Sequence, residues 1–314
     1  MGYENTTLAK MQRKRHSRCM TVSSQPPKTE IPKQQNRAPR RVVRGPSTPP
    51  VKGPAAVTQA DFIEEQMLLL GAGAAVMNQL ADPGVGVGVA EHSTTLYRPV
   101  DRLRTTLAYV YMMTLGTEEE RAMISRMVNG AHKPVVASGR YNAFDPELQL
   151  WVAATLVKNG LDLYQRVFGL LDEASKQRIY EDGQIFGTAL QVQQEQWPET
   201  YDGFLAYWDE ATAQLTPDPL VQAFALHLLD SSNLPVHRRP LMALQSLMTR
   251  GLIEPRVREV LNLSWRRREQ FLFDAFWVVF PPVYRLVPRP LRTLGARRVV
   301  RDTRKRFKKH RPGI

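Results

Sequence analysis

A single cysteine, Cys19, is the only thiol in the 314 residues. That excludes an internal disulfide framework and any zinc or iron–sulfur site built on cysteine. Sparse cysteine fits a reducing compartment, so the cytoplasm is the expected location. Long hydrophobic runs are missing as well. No window of about 18 uninterrupted apolar residues occurs, so no ordinary transmembrane helix is expected. The nearest stretch, 271–287, contains Asp274 and the pair Pro281-Pro282, which point to an amphipathic or buried segment. Lys10, Arg13 and Lys14 are not followed by an apolar run, so no signal peptide is expected. Strand-type alternation of Val, Ile and Thr is nearly absent, and no solenoid repeat is found. The fold class expected is all-α.

What is present begins with charge. The net charge is +13, but it is unevenly spread. Residues 1–58 carry 12 Lys/Arg against Glu4 and Glu30, and residues 285–314 carry 12 against Asp302 alone. The remaining body is therefore mildly acidic. This argues against a nucleic-acid recognition face and for basic tails that meet an anionic surface, such as an acidic membrane. The hydrophobic content of 43% suffices for a sizeable core. Residues 1–58 are rich in Pro, Gln, Arg and Ser, and a disordered tail is expected there. A helical domain is expected over 59–296 and a basic extension over 297–314.

Thr58 is placed to cap a helix running through Phe62, Glu65, Met67 and Leu70. Val100 to Leu115 forms a strong helical pattern in which Leu103, Leu107, Val110 and Thr114 share a stripe, with Gly116 as its stop. Thr117-Glu-Glu-Glu120 reads as a capping box for a helix through Ile124, Val128 and His132, ended by Lys133-Pro134. A long apolar helix is expected over 148–168. Further helices follow to Ala213 and over 220–247, and a last one includes Trp265 to Val279.

Among the motifs, Gly71-Ala-Gly-Ala-Ala-Val76 resembles a dinucleotide fingerprint, but a helical pattern precedes it and no βαβ alternation follows. Small residues for close helix packing explain it better. There is no G-x-S-x-G and no H-E-x-x-H. Glu91-His92 has no metal spacing. His16 and His310 lie in the tails, His237 in a loop and His227 in an apolar helix. His132 differs, because Ile124, Val128 and His132 follow at i, i+4 and i+8, which puts an imidazole on the inner face at a helix end. Such a histidine is either a satisfied core residue or a proximal ligand to haem iron. Arg102 and Thr106 share a face of the preceding helix.

Taken in order, QLADPGVGVGVAEHS (79–93), DRLRTTLAYVYMMTLGTEEE (101–120), the His132 helix and YNAFDPELQLWVAATLV (141–157) resemble the family of latex-clearing proteins and MpaB-like oxygenases. WPET (197–200), GLIEPRVREVLNLSW (251–265) and VPRPLR (287–292) extend the resemblance, which covers roughly 62–300. The resemblance implies a globin-like helical core that holds haem b and acts with dioxygen on a small apolar substrate. It implies His132 as the proximal iron ligand, with Arg102 and Thr106 lining the haem pocket as catalytic groups. The glycines of the 84–88 run, Gly84 and Gly86 first, would let backbone approach the macrocycle or a neighbouring helix. Three positions depart from the family pattern. Thr105 stands where relatives often have a basic residue, Asp82 stands where they read A-H-P, and Trp151-Val-Ala-Ala-Thr-Leu156 stands where they read W-V-H-A-T-L. The rival expectation is a non-catalytic haem-binding or scaffold protein tethered to acidic surfaces by its tails.

Overall fold

The computed structural model describes residues 57–92, 99–135, 139–230 and 235–310. The tail expected over 1–58 lies outside the described residues except for Val57, which is buried, and Thr58. Local signals start the first helix. The Thr58 hydroxyl accepts from the Asp61 backbone, and the Asp61 carboxylate accepts from the Thr58 N–H, which caps α1 (Gln59–Ile63). The expected continuation to Leu70 breaks at Glu65, which is extended and is followed by a 3-10 turn, Gln66–Gly71. The cause is a distant partner. The Tyr284 hydroxyl donates to Glu65 at 2.8 Å and accepts from the Met67 N–H at 3.2 Å, while Arg292 lies 3.4 Å from the same carboxylate.

The next helices are α2 (Ala72–Ala81), α3 (Pro83–His92), α4 (Pro99–Leu115) and α5 (Glu118–His132). Gly73 answers the dinucleotide question, because a Cβ there would sit 2.1 Å from the Thr249 hydroxyl. The small residues let α2 approach α11 (Arg239–Leu252), and no strand occurs among the described residues. The chain is all-α.

Central to the core is α6 (Pro146–Phe168), capped by Asp145 and buried along Leu150, Trp151, Val157, Leu161 and Val167. It packs on α2, on the 3-10 turn and on α7 (Glu173–Gly183) and α8 (Ile185–Thr188). Trp151 stacks on Trp208 of α9 (Tyr201–Gln214) with ring centroids 5.0 Å apart, and its indole N–H donates to the Asn78 carbonyl. Tyr180, Trp197 and Phe204 extend this aromatic layer.

The remaining helices are α10 (Pro219–Leu229), α11, α12 (Pro255–Val260), α13 (Arg267–Leu286), α14 (Arg289–Arg292) and α15 (Leu294–His310). Two expectations change here. First, α13 runs on through Pro281 and Pro282 to Leu286. Each proline lacks an N–H, so two helical hydrogen bonds are forfeited. Packing offsets this, with Pro281 buried and Tyr284 anchored on Glu65. Second, the boundary drawn at 296/297 falls inside α15, which buries Ala296, Val300, Thr303 and Phe307 and packs against α4.

Candidate functional site

The Thr117 hydroxyl accepts from the Glu120 N–H and the Glu120 carboxylate from the Thr117 N–H, so α5 starts at Glu118. Lys133-Pro134 then ends it after four turns, with His132 in the last one. Along one stripe Ile124 is buried, and Val128 and His132 are half-buried. The His132 Nδ1 is shielded from solvent and has no hydrogen-bond partner. Phe144 meets the imidazole edge-on, with ring centroids 6.1 Å apart. Burial lowers the imidazole pKa from its ordinary 6.5, and the nearby Arg102 charge lowers it further. The ring is therefore neutral at neutral pH, with a lone pair available.

The charge of Arg102, in the first turn of α4, thus acts on His132, at the end of α5. Residues 101–106 are exposed all round the helix, Arg102 and Thr106 included, and Leu103 is 47% exposed. The stripe shared by Leu103, Leu107, Val110 and Thr114 along α4 is at most half-buried. The buried positions are Ala108, Tyr109, Tyr111, Met112 and Met113 instead. Burial thus starts only in the third turn of α4, where the Tyr109 hydroxyl donates to the Phe186 carbonyl of α8. The Thr105 hydroxyl is turned back to the Asp101 carbonyl at 2.9 Å.

Gly84 and Gly86 lie at the start of α3, and their neighbours are protein. A Cβ on Gly86 would meet the Leu80 carbonyl at 2.3 Å and Val221 at 2.8 Å; one on Gly84 would meet Leu148 at 2.8 Å. The close approach they permit here is that of neighbouring helices. Asp82 accepts from the Gly84 and Val85 N–H groups and so caps α3, while burial raises its carboxyl pKa. Both alanines of the Trp151-to-Leu156 run, Ala153 and Ala154, are fully buried.

Sequence reasoning passed over a neighbouring cluster. The Tyr141 hydroxyl donates to Glu91 at 2.9 Å and lies 2.6 Å from His92 Nε2, with Arg140 3.8 Å from Glu91. Glu91-His92 carries no recognisable spacing by itself. Its partner is some fifty residues away, so no local pattern announces it. The same loop supplies Phe144 to His132, and Gln191 links α5 to α6 by donating to Asn129 and accepting from Gln149, which also donates to the Ala143 carbonyl of the loop.

Two clefts lie elsewhere. One, of about 640 Å³, is lined by Glu64 and Leu115 and by Arg301, Lys305 and Lys308 of α15. The other, of about 360 Å³, lies beside Asn159, Asp162 and Arg166. Neither is lined by His132.

A bare metal ion and a haem make different demands on the protein's donors. Among the described residues no group of three His, Cys, Asp or Glu is placed to hold a bare ion. A haem iron needs only one axial imidazole, because the macrocycle supplies the other ligands. A neutral His132 with an unclaimed nitrogen, within reach of the Arg102 charge, fits that requirement.

No solved structure matches the chain. It is 36% identical over 222 residues to two uncharacterised proteins, one from Mycobacterium bovis and one from Mycobacterium tuberculosis, covering 68% of this chain and 87% of each relative. Residues 61–305 match the model of the ER-bound oxygenase mpaB/B'/rubber oxygenase catalytic domain. The chain belongs to this oxygenase catalytic-domain family.

Proposed function

We propose that the protein is a haem b-dependent oxygenase that uses dioxygen on a small apolar substrate. The observation that carries this reading is the neutral, unpartnered imidazole of His132 beside Arg102, in a chain of an oxygenase family. When bound, the haem supplies the redox chemistry that activates dioxygen. His132 would hold the iron through a ring nitrogen, because burial keeps its lone pair free of a proton. Arg102 offers a planar, permanently charged fork to a propionate carboxylate. Thr106, one turn along the same face, orients that contact. Leu103 and Leu107 present apolar surface on α4, which suits an apolar substrate.

Optical spectroscopy tests this. Protein loaded with haem b is expected to show a Soret band, and His132→Ala is expected to lose most bound haem while keeping its helical content. Full occupancy with an unchanged spectrum in that variant would mean that another residue, such as His92 or His227, holds the iron. Dioxygen uptake with an added isoprenoid then separates an oxygenase from a haem carrier.

A further inference from the structure

The 20 residues of α13 span about 30 Å and present two apolar sides. The inner side is formed by Phe273, Trp277, Phe280, Pro281 and Tyr284, and the helix packs against α6 and α11. The outer side is also apolar. Phe271 is 70% exposed, Val278 73%, Val279 61%, Val283 56% and Leu286 83%. Leu272, Ala275 and Pro282 fill the gaps between them and are exposed too. Polar residues such as Gln270 and Asp274 occupy a narrow strip between the two sides. A soluble surface rarely leaves so long an apolar stripe bare, and such a patch marks an interaction site.

Charge decides what covers it. Arg267 and Arg268 open the helix with no carboxylate partner among the described residues, and Arg285 near its end donates to the Val167 carbonyl. A second copy of the chain is disfavoured in either orientation. Parallel pairing sets the Arg267 and Arg268 pairs against each other, and antiparallel pairing sets them against Arg285. The N-terminal 58 residues are disfavoured for the same reason, since they carry 12 basic residues and two acidic ones. Phosphate headgroups, by contrast, complement the exposed Arg267 and Arg268. No described helix is long and apolar enough to cross a membrane, so α13 is suited to lie in the interface, not to span it.

We propose that the outer face of α13 seats the protein on an anionic lipid bilayer, its apolar stripe in the acyl boundary and its terminal arginines among the headgroups. This stands apart from the haem reading and uses different residues. It also differs from attachment by the basic tails, because the apolar stripe anchors and the charges select the lipid.

The test is co-sedimentation of the full chain with phosphatidylcholine vesicles, with and without phosphatidylglycerol. Wild type is expected to bind the anionic vesicles. The double variant Val278→Glu/Leu286→Glu is expected to partition at least about tenfold more weakly with an unchanged far-UV spectrum, because buried apolar area dominates such binding. Arg301→Glu/Lys305→Glu on α15 is expected to change binding by no more than about threefold. Should the α13 double variant fail to fold, Arg267→Glu/Arg268→Glu decides, since it leaves the stripe intact and is expected to abolish the preference for anionic lipid. The proposal is overturned by α13 variants that sediment like wild type or by wild type that ignores both vesicle types. It is equally overturned by a solution dimer that the α13 substitutions dissociate.

Discussion

Arg102 opens α4 and His132 closes α5, and the guanidinium charge reinforces burial in keeping the imidazole unprotonated. Replacing Arg102 by Gln is expected to move the His132 pKa upward, toward the ordinary 6.5, in an NMR titration. An unmoved titration would leave burial as the whole cause. The folded-state value is depressed, so the unfolded chain takes up the proton first as pH falls. Stability from this residue is present above pH 6.5 and is lost as pH falls toward the folded value. The loss between neutral and mildly acidic pH is expected to be smaller in His132→Gln.

Two glycines are expected to respond in opposite directions to the same substitution. At Gly86 an added Cβ would lie 2.3 Å from the Leu80 carbonyl, a backbone atom that cannot swing away. Gly86→Ala should cost about 1–3 kcal/mol through overpacking. At Gly130, in the last turn of α5, nothing lies within 4 Å of an added Cβ. Gly130→Ala should stabilise by about 0.5 kcal/mol through helix propensity. Thermal midpoints that shift alike would show that α3 can move away from its neighbours.

Removing Arg292 should expose the cost of burying Glu65. The pair has side-chain exposures of 13% and 5%, and burial already raises the Glu65 pKa against the opposing effects of Tyr284 and Arg292. Arg292→Met is expected to destabilise by about 3 kcal/mol in urea denaturation, because it leaves a buried carboxyl without its cation. Adding Glu65→Gln should recover much of that loss. No recovery would place the energy of Arg292 in its stacking on Phe168 and Tyr284.

The C-terminal helix is expected to behave as part of the domain. Phe307 is 7% exposed, and Arg304 reaches Glu120, the residue that closes the cap of α5. Phe307→Ala should cost about 3 kcal/mol through the cavity it leaves. Arg304→Ala should cost under about 1 kcal/mol, since that pair is largely solvated. A negligible effect of Phe307→Ala on the thermal midpoint would show that α15 contributes nothing to the core.

The sequence alone determined the features whose partners are close in the chain. Thr58 with Asp61 and Thr117 with Glu120 are capping boxes whose partners lie three positions apart, and Lys133-Pro134 stops α5 by sterics within one turn. The all-α class follows from the same short-range periodicity. Tertiary structure decided whatever depends on partners far along the chain. Glu65 breaks the first helix because Tyr284 and Arg292 claim it from more than two hundred residues away. Pro281 and Pro282 stay helical because the surrounding core holds them, and α4 buries Tyr109 and Met112, not Leu103, because α8 and α15 arrive on that side. At the site, the spacing of Ile124, Val128 and His132 put the imidazole on the right face of α5. Only the fold brought Arg102 and Phe144 to it and joined Tyr141 to His92. Periodicity reports which way a side chain leaves its own helix, whereas the neighbour it meets is set by packing between segments that the sequence keeps apart.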